Sequence, residues 1–308
     1  MFLSSVYPST QANLDQMLAH WRNDSDTMDN IVHWSVTPPR EAQLSPIPLG
    51  IAPELQAALE SLGYVGLYRH QQQAFDHIRA GRCVVIATST ASGKTLCYNL
   101  PVFDTLLREP NARALYLFPT KALAHDQRET LAQLDDHIGG KVSIGAYDGD
   151  TPGNHRGVIR TNARIVLSNP DMVHMGILPQ HPAWADFFRN LRFVILDELH
   201  VYRGVFGSHV ANVIRRLKRV AGHYGAYPQF ILTSATISNP RELAERLVEQ
   251  SCELVDEDSS PSGQRNFLLY NPPIVDPELG LRRSASSESV RLAGDLLAYR
   301  VQGILFAR

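Results

Sequence analysis

The run Cys83-Val84-Val85-Ile86-Ala87-Thr88-Ser89-Thr90-Ala91-Ser92-Gly93-Lys94-Thr95 leaves this chain few folds to choose from. A short β-branched stretch gives way to small residues, and Gly93-Lys94-Thr95 opens an amphipathic segment from Leu96 onward. The spacing predicts a strand, a loop and a helix start. A loop of this kind turns backbone N–H groups inward, and the helix N-terminus adds positive dipole, so the turn suits a chain of phosphates. Lys94 is placed to reach the β- and γ-phosphates of ATP, and the Thr95 hydroxyl to ligate Mg²⁺. Thr88 stands where G-x-x-x-x-G-K-[ST] has its first glycine. An ordinary strand-to-helix turn also contains Gly-Lys-Thr, and the flanking strand and helix are what favour nucleotide binding.

The rest of the chain repeats the same alternation. Apolar runs at 114–118, 142–147, 164–167, 193–196 and 229–232 read as strands, the first as continuously apolar as a buried parallel strand should be. Helical spacing covers 122–134, 208–220 and 240–249. Repeated strand and helix predict an α/β fold, a parallel sheet with helices on both faces. Residues 53–62 and 67–80 read as helical segments leading into the phosphate loop. The lead-in up to residue 52 carries helical spacing at Leu14, Met17, Leu18 and Trp21 and a short strand at 31–36, and reads as an accessory segment packed on the main domain. Asp256 to Gly263 is a polar break, and 267–270 and 303–306 are further apolar strands whose partner sheet is expected to be missing.

In open α/β sheets ligands bind beyond the carboxyl ends of the strands. Asp197 and Glu198 follow four apolar residues at such an end. Asp197 is placed to hold Mg²⁺ together with Thr95, and Glu198 to act as general base on the attacking water. An acidic pair can also simply cap the next element. Phosphate loop and acidic pair in this order along one sheet point to phosphoryl transfer to water, with Lys94 neutralising charge. Gln71, shortly before the loop, offers a donor and an acceptor suited to the edge of adenine. Thr233-Ser234-Ala235-Thr236 ends another strand, where it is expected to hydrogen-bond to His200 and couple nucleotide state to the rest of the domain. Pro119-Thr120-Lys121, Asp150-Thr151 and Asn169-Pro170-Asp171 follow strands too; each is an ordinary loop by itself, and together they suit a phosphate backbone that is tracked without reading bases.

Net charge is −2 over 308 residues, so no global basic footprint marks a nucleic-acid partner, although a local groove can still be basic. Cys83, Cys97 and Cys252 are scattered; an odd count without a CxxC pair predicts buried thiols in a reducing compartment. The twelve histidines show no metal-ligand spacing. No apolar run approaches membrane-spanning length and Met1-Phe2-Leu3 lacks a basic flank, so a cytoplasmic location and no membrane partner are expected.

The ordered set resembles the first motor domain of superfamily 2 helicases. Thr90 to Thr95 looks like motif I, Asp197-Glu198-Leu199-His200 like a DEAH-type motif II, Ser234-Ala235-Thr236 like motif III, and Pro119-Thr120-Lys121-Ala122-Leu123 like motif Ia. Leu67-Tyr68-Arg69-His70-Gln71 resembles the Q-motif region. Tyr147 to Pro152, Ser168 to His174 and the long run Asp197 to Arg216 are similar to the mitomycin repair factor A type of DNA helicase. The resemblance implies a RecA-like domain, ATP and Mg²⁺ as cofactors, and ATP-dependent 3′→5′ translocation on single-stranded or forked DNA in repair. It divides the chain into an accessory segment at 1–52, a RecA-like ATP-binding domain at 53–263, and a linker with the start of a second RecA-like domain at 264–308. On this reading the chain is an N-terminal fragment that lacks the second motor domain and does not unwind alone. A non-catalytic nucleic-acid-binding fragment with relic motifs is the alternative.

Overall fold

The computed structural model describes residues 11–306, and these form two units. One runs from Glu41 to Pro261; the other joins the residues up to Arg40 to those from Ser262 onward. In chain order the strands used below are β1 Ile31–Thr37, β2 Cys83–Ile86, β3 Arg113–Leu117, β4 Ile144–Ala146, β5 Ile165–Ser168, β6 Leu191–Leu196, β7 Gln229–Thr233, β8 Cys252–Val255 and β9 Arg265–Tyr270. The helices are α1 Gln11–Asn23, α2 Pro53–Ser61, α3 Arg69–Arg79, α4 Lys94–Arg108, α5 Lys121–His137, α6 Gly153–Asn162, α7 Gly204–His223, α8 Pro240–Val248 and α9 Ala285–Ala298.

Seven parallel strands make the sheet of the larger unit, in the order β8-β2-β7-β6-β3-β5-β4. Alternate residues of each strand feed opposite faces. Val84, Ile86, Ala114, Tyr116 and Ile195 pack with Leu55, Phe75 and Phe103 from α2, α3 and α4. Val85, Leu115, Leu117, Val194 and Leu232 pack on the other side with Val210, Ile214 and Leu217 of α7 and Leu247 of α8. Both faces are covered, which is why the strands read as unbroken apolar runs rather than as alternating ones. All the loops expected to carry chemistry leave the carboxyl ends of these strands, so one rim of the sheet collects them.

The edge strand β8 was not among the expected strands. Its Cys-Glu-Leu-Val is short, interrupted by a charge and only half-buried, and the parallel pairing with β2 makes it a strand. That pairing sets Cys252 directly opposite Cys83, and the two form a disulfide across a sequence separation of 169 residues. The expected thiols are therefore corrected for this pair, because register brought together what spacing in sequence hides. Cys97 is a buried thiol as expected, and burial pushes it up to about 12.

The smaller unit bears on three further expectations. The 267–270 segment has its pairing partner in this chain: β9 runs antiparallel to β1, with Trp34 opposite Leu268 and Ser35 opposite Phe267. Met17, Leu18 and Trp21 of α1 pack with Trp34, Leu268, and Leu292 and Leu296 of α9. The lead-in accordingly folds with the residues after Ser262. Residues 303–306 are not a strand, and Ile304, Leu305 and Phe306 are exposed.

Glu288 of α9 is 2% exposed, and its carboxylate accepts from the Tyr270 hydroxyl at 2.7 Å, Arg291 at 3.0 Å and Arg283 at 2.9 Å. The tyrosine hydroxyl first, and the arginines after it, hold this carboxyl down at about 2. A depressed carboxyl stabilises the fold above its unfolded value and loses that contribution as pH falls through the folded one. Glu288→Gln should therefore lower denaturant stability at neutral pH, and the gap to wild type should narrow as pH drops below about 4.5 towards about 2.

Candidate functional site

The β2–α4 loop needs unusual backbone at two positions. Ala91 and Gly93 have φ of 62° and 79°. A Cβ on Gly93 would come within 2.5 Å of Gln71 Nε2, so conformation and space both require glycine there. Lys94 opens α4 and folds its ammonium back over the loop, donating to the carbonyls of Thr88 at 3.1 Å and Ser89 at 2.7 Å. The hydroxyls of Thr88 and Ser92 meet at 2.7 Å beneath it. Ser89 and Thr95 are half-buried, and Thr90 is exposed at the rim.

Gln71 has two backbone partners, and its amide keeps one N–H and one acceptor site beyond them. Its Oε1 accepts from the Tyr68 N–H at 2.9 Å and its Nε2 donates to the Gly93 carbonyl at 3.0 Å. The amide closes a capping box on α3 and ties that helix to the phosphate loop. Its pattern of donor and acceptor was legible in the sequence; the backbone groups that use it were not.

Asp197 and Glu198 leave the end of β6, two strands from β2. The Asp197 N–H continues the ladder to the Leu117 carbonyl at 3.0 Å. Asp197 Oδ1 accepts from the Glu198 N–H at 2.9 Å and from the Thr233 hydroxyl. Thr233, one residue before the expected Ser234-Ala235-Thr236 motif, is fully buried at the end of β7. It is the side chain that steers the aspartate, a partner the sequence does not reveal for one hydroxyl within Thr233-Ser234-Ala235-Thr236. Burial raises the Asp197 carboxyl above the usual range, against the pull of Thr233 and Lys94. Glu198 is raised by burial and by the Asp197 charge. Glu198 also has a φ of 56°, in the left-handed region that non-glycine residues rarely occupy and that clusters at functional sites.

His200 joins the acidic pair to the β7 loop. Its Nδ1 lies 3.2 Å from Glu198 Oε2 and 3.4 Å from the Ala235 N–H. The expected link between His200 and Ser234-Ala235-Thr236 is thus made by the Ala235 backbone. The Ser234 hydroxyl is buried without a hydrogen-bond partner among the described residues, and Thr236 is exposed.

The loops expected to meet nucleic acid lie after β3, β4 and β5, neighbours in the sheet. Lys121 and Asp150 form an exposed ion pair at 2.6 Å that joins the first two. The Thr120 hydroxyl caps α5 by accepting from the Leu123 N–H at 3.4 Å. The Thr151 hydroxyl donates to the Ala146 carbonyl at 3.1 Å and accepts from the Asp148 N–H at 2.9 Å. Asn169 accepts from the Met172 N–H at 2.7 Å and starts a short helical turn in which Pro170 is buried and Asp171 exposed. Pro119 is half-buried at the end of β3. Much of this polar set is spent on shaping loops, leaving Lys121 and the helix starts as the groups that face outward.

No group of three or more metal-ligating His, Cys, Asp or Glu side chains occurs among the described residues. Mg²⁺ is commonly held by one or two protein oxygens together with phosphates and water. The Thr95 hydroxyl and the Asp197 carboxylate are the pair expected to hold it, and the Lys94 charge reaches both Asp197 and Glu198.

The sequence profile of the DEAD/DEAH box helicase family matches residues 68–243. The chain is 50% identical over 280 residues to the ATP-dependent helicase YprA of Bacillus subtilis (strain 168), covering 91% of this chain and 37% of that protein. It is 36% identical over 303 residues to the ATP-dependent helicase HRQ1 of Saccharomyces cerevisiae, covering 97% of this chain and 28% of the relative. The crystal structure of the DUF1998 helicase MrfA bound to DNA and AMPPNP superposes with a TM-score of 0.91 at 48% identity, over 96% of this chain and 40% of that one. The chain therefore spans about a third of the length of the curated relatives it matches.

Proposed function

The chain belongs to the DEAD/DEAH box helicases, and from that premise we propose that it is the ATP-binding part of a DNA-dependent motor that hydrolyses ATP. One observation carries this reading. The phosphate loop with Lys94 and the acidic pair Asp197-Glu198 leave the same rim of one sheet, within electrostatic reach of each other.

Lys94 exchanges its two loop carbonyls for phosphate oxygens, and the inward N–H groups of 90–95 cradle the rest of the chain of phosphates. Thr95 and Asp197 hold the magnesium ion, which when bound supplies charge neutralisation at the transferred phosphoryl group. Thr233 fixes one Asp197 oxygen and so aims the other. Glu198, held in its left-handed backbone, takes a proton from the attacking water, and His200 ties that step to the β7 loop.

The DNA runs past Pro119, Thr120, Lys121, Asp150, Thr151, Asn169, Pro170 and Asp171, which contact its backbone and not its bases. Single-stranded or forked DNA, 3′→5′ movement and a role in repair are the finer parts of this proposal, as are a cytoplasmic location and the assignment of 53–263 as the RecA-like domain. No helix among the described residues is long and apolar enough to cross a membrane. An arginine from a second unit is worth about 10³ or more in related phosphoryl-transfer sites, so a second RecA-like domain is the proposed partner across the nucleotide.

The test is phosphate release by the purified chain with and without single-stranded DNA. DNA-stimulated release, slow because the second domain's arginine is not supplied, is the expected result. DNA binding with no ATP binding would favour a non-catalytic nucleic-acid module, and loss of both would overturn the proposal.

A further inference from the structure

His70 sits at the start of α3 and is 1% exposed, yet nothing in the hydrolysis of ATP calls for a histidine there. Its ring is held at both ends. The Ser259 backbone N–H points at Nδ1 from 3.3 Å, and the Ser259 hydroxyl is 2.8 Å from the same nitrogen. A ring nitrogen that receives a backbone N–H carries no proton, so the hydrogen bonds assign the proton to Nε2. Nε2 then donates to the Ser92 carbonyl of the phosphate loop at 3.1 Å. The His70 backbone N–H donates in turn to the Ser259 hydroxyl at 2.9 Å.

The segment around Ser259 grips the loop at a second point. The Ser89 hydroxyl donates to the Asp258 carboxylate, whose other oxygen accepts from the Ser260 N–H at 2.9 Å and the Ser260 hydroxyl at 2.7 Å. The Ser259 carbonyl accepts from the Gln43 N–H at 3.0 Å. Ser259 and Ser260 are 4% and 5% exposed in what the sequence shows as a polar break. Two contacts from one segment thus bracket the loop, at Ser89 and through His70 at Ser92.

We propose that His70 and Ser259 are positioning residues for the phosphate loop, and that the 258–260 segment moves with the loop when phosphates enter it. The physical reason is local. Ser89 lends its carbonyl to Lys94 and its hydroxyl to Asp258, so transfer of Lys94 to phosphate loosens one grip on the residue that Asp258 holds. The incoming phosphates also repel the Asp258 carboxylate. The His70 strut is neutral and stays, keeping the Ser92 end of the loop in place while the Ser89 end adjusts. This inference rests on the ATP reading given above.

Hydrogen exchange of the full chain, without nucleotide and with AMPPNP and Mg²⁺, tests it, using Ser259→Ala and His70→Gln. Without nucleotide, Ser259→Ala should raise exchange at 88–93 while the melting temperature stays close to wild type. His70→Gln, whose amide nitrogen reaches the Nε2 position, should raise it less than His70→Ala. With AMPPNP the wild type should change its exchange at 256–261, and Ser259→Ala should bind the analogue roughly fivefold to tenfold more weakly, the weight of one buried hydrogen bond. Unchanged exchange at 88–93 in nucleotide-free Ser259→Ala overturns the strut whether or not nucleotide binds. AMPPNP bound to the wild type with no change at 256–261 overturns the coupled movement. A wild type that binds no AMPPNP overturns the ATP reading instead, and the nucleotide-free comparison still decides the strut.

Discussion

Glu198→Gln should abolish DNA-stimulated ATP hydrolysis, by roughly 10²- to 10⁴-fold, the usual contribution of a positioned general base. Nucleotide binding should stay close to wild type. The substitution keeps the shape and the hydrogen-bonding reach of the side chain and removes only the capacity to take a proton. Backbone strain at this position gives a second reason for choosing glutamine over a larger change. Glu198 has a φ of 56°, and a residue of similar bulk leaves the turn and the neighbouring Asp197 contact as they are. The measurement is steady-state phosphate release beside equilibrium binding of a fluorescent ATP analogue. Turnover within a few-fold of wild type would show that the base is another group. Loss of binding along with turnover would show that Glu198 serves the shape of the site and not the proton transfer.

Lys94→Ala should lose both. An ammonium aimed at developing charge in such a site is worth about 10²- to 10³-fold in rate. Here the lysine also organises the loop itself through the Thr88 and Ser89 carbonyls. Removing it leaves two carbonyls without their shared donor, so the loop should relax even without nucleotide. The expected result is analogue binding weakened beyond easy detection, turnover at background, and a melting temperature little changed, because the side chain lies at the sheet rim and adds nothing to either apolar layer. Lys94→Arg discriminates further. It keeps the charge, but a planar fork cannot sit over two carbonyls as a compact ammonium does, so binding should recover only in part. Full activity in Lys94→Ala would remove the phosphate loop from the mechanism.

The strands of the sheet were legible because β2, β3, β5, β6 and β7 are buried on both faces and carry unbroken apolar runs. The acidic pair and the phosphate loop were legible because each follows such a run. What failed to show was set by contacts across long separations. β8 is a strand only because β2 lies beside it, and Cys83 finds Cys252 only through that register. β9 has β1 as its partner because Trp34 and Leu268 share a face over α1. Thr233 was hidden by its ordinariness, one hydroxyl among several at a strand end, until the fold brought it to Asp197. The backbone partners of Gln71 were not legible, since an amide pattern in sequence does not say which backbone groups will use it.

By itself the sequence determined the class of fold, the order of strands and helices through the nucleotide-binding half, and the residue types able to hold phosphate, metal and water. Those properties are local: period, small turn residues, and a charged group straight after an apolar run. Only the tertiary structure decided how the loop is braced, by Gln71, His70 and Ser259, and how the carboxylates are steered, by Thr233 and His200. Such braces are single hydrogen bonds between buried groups far apart in the chain. Burial gives each its strength, and burial exists only once the sheet has brought the strand ends to one rim.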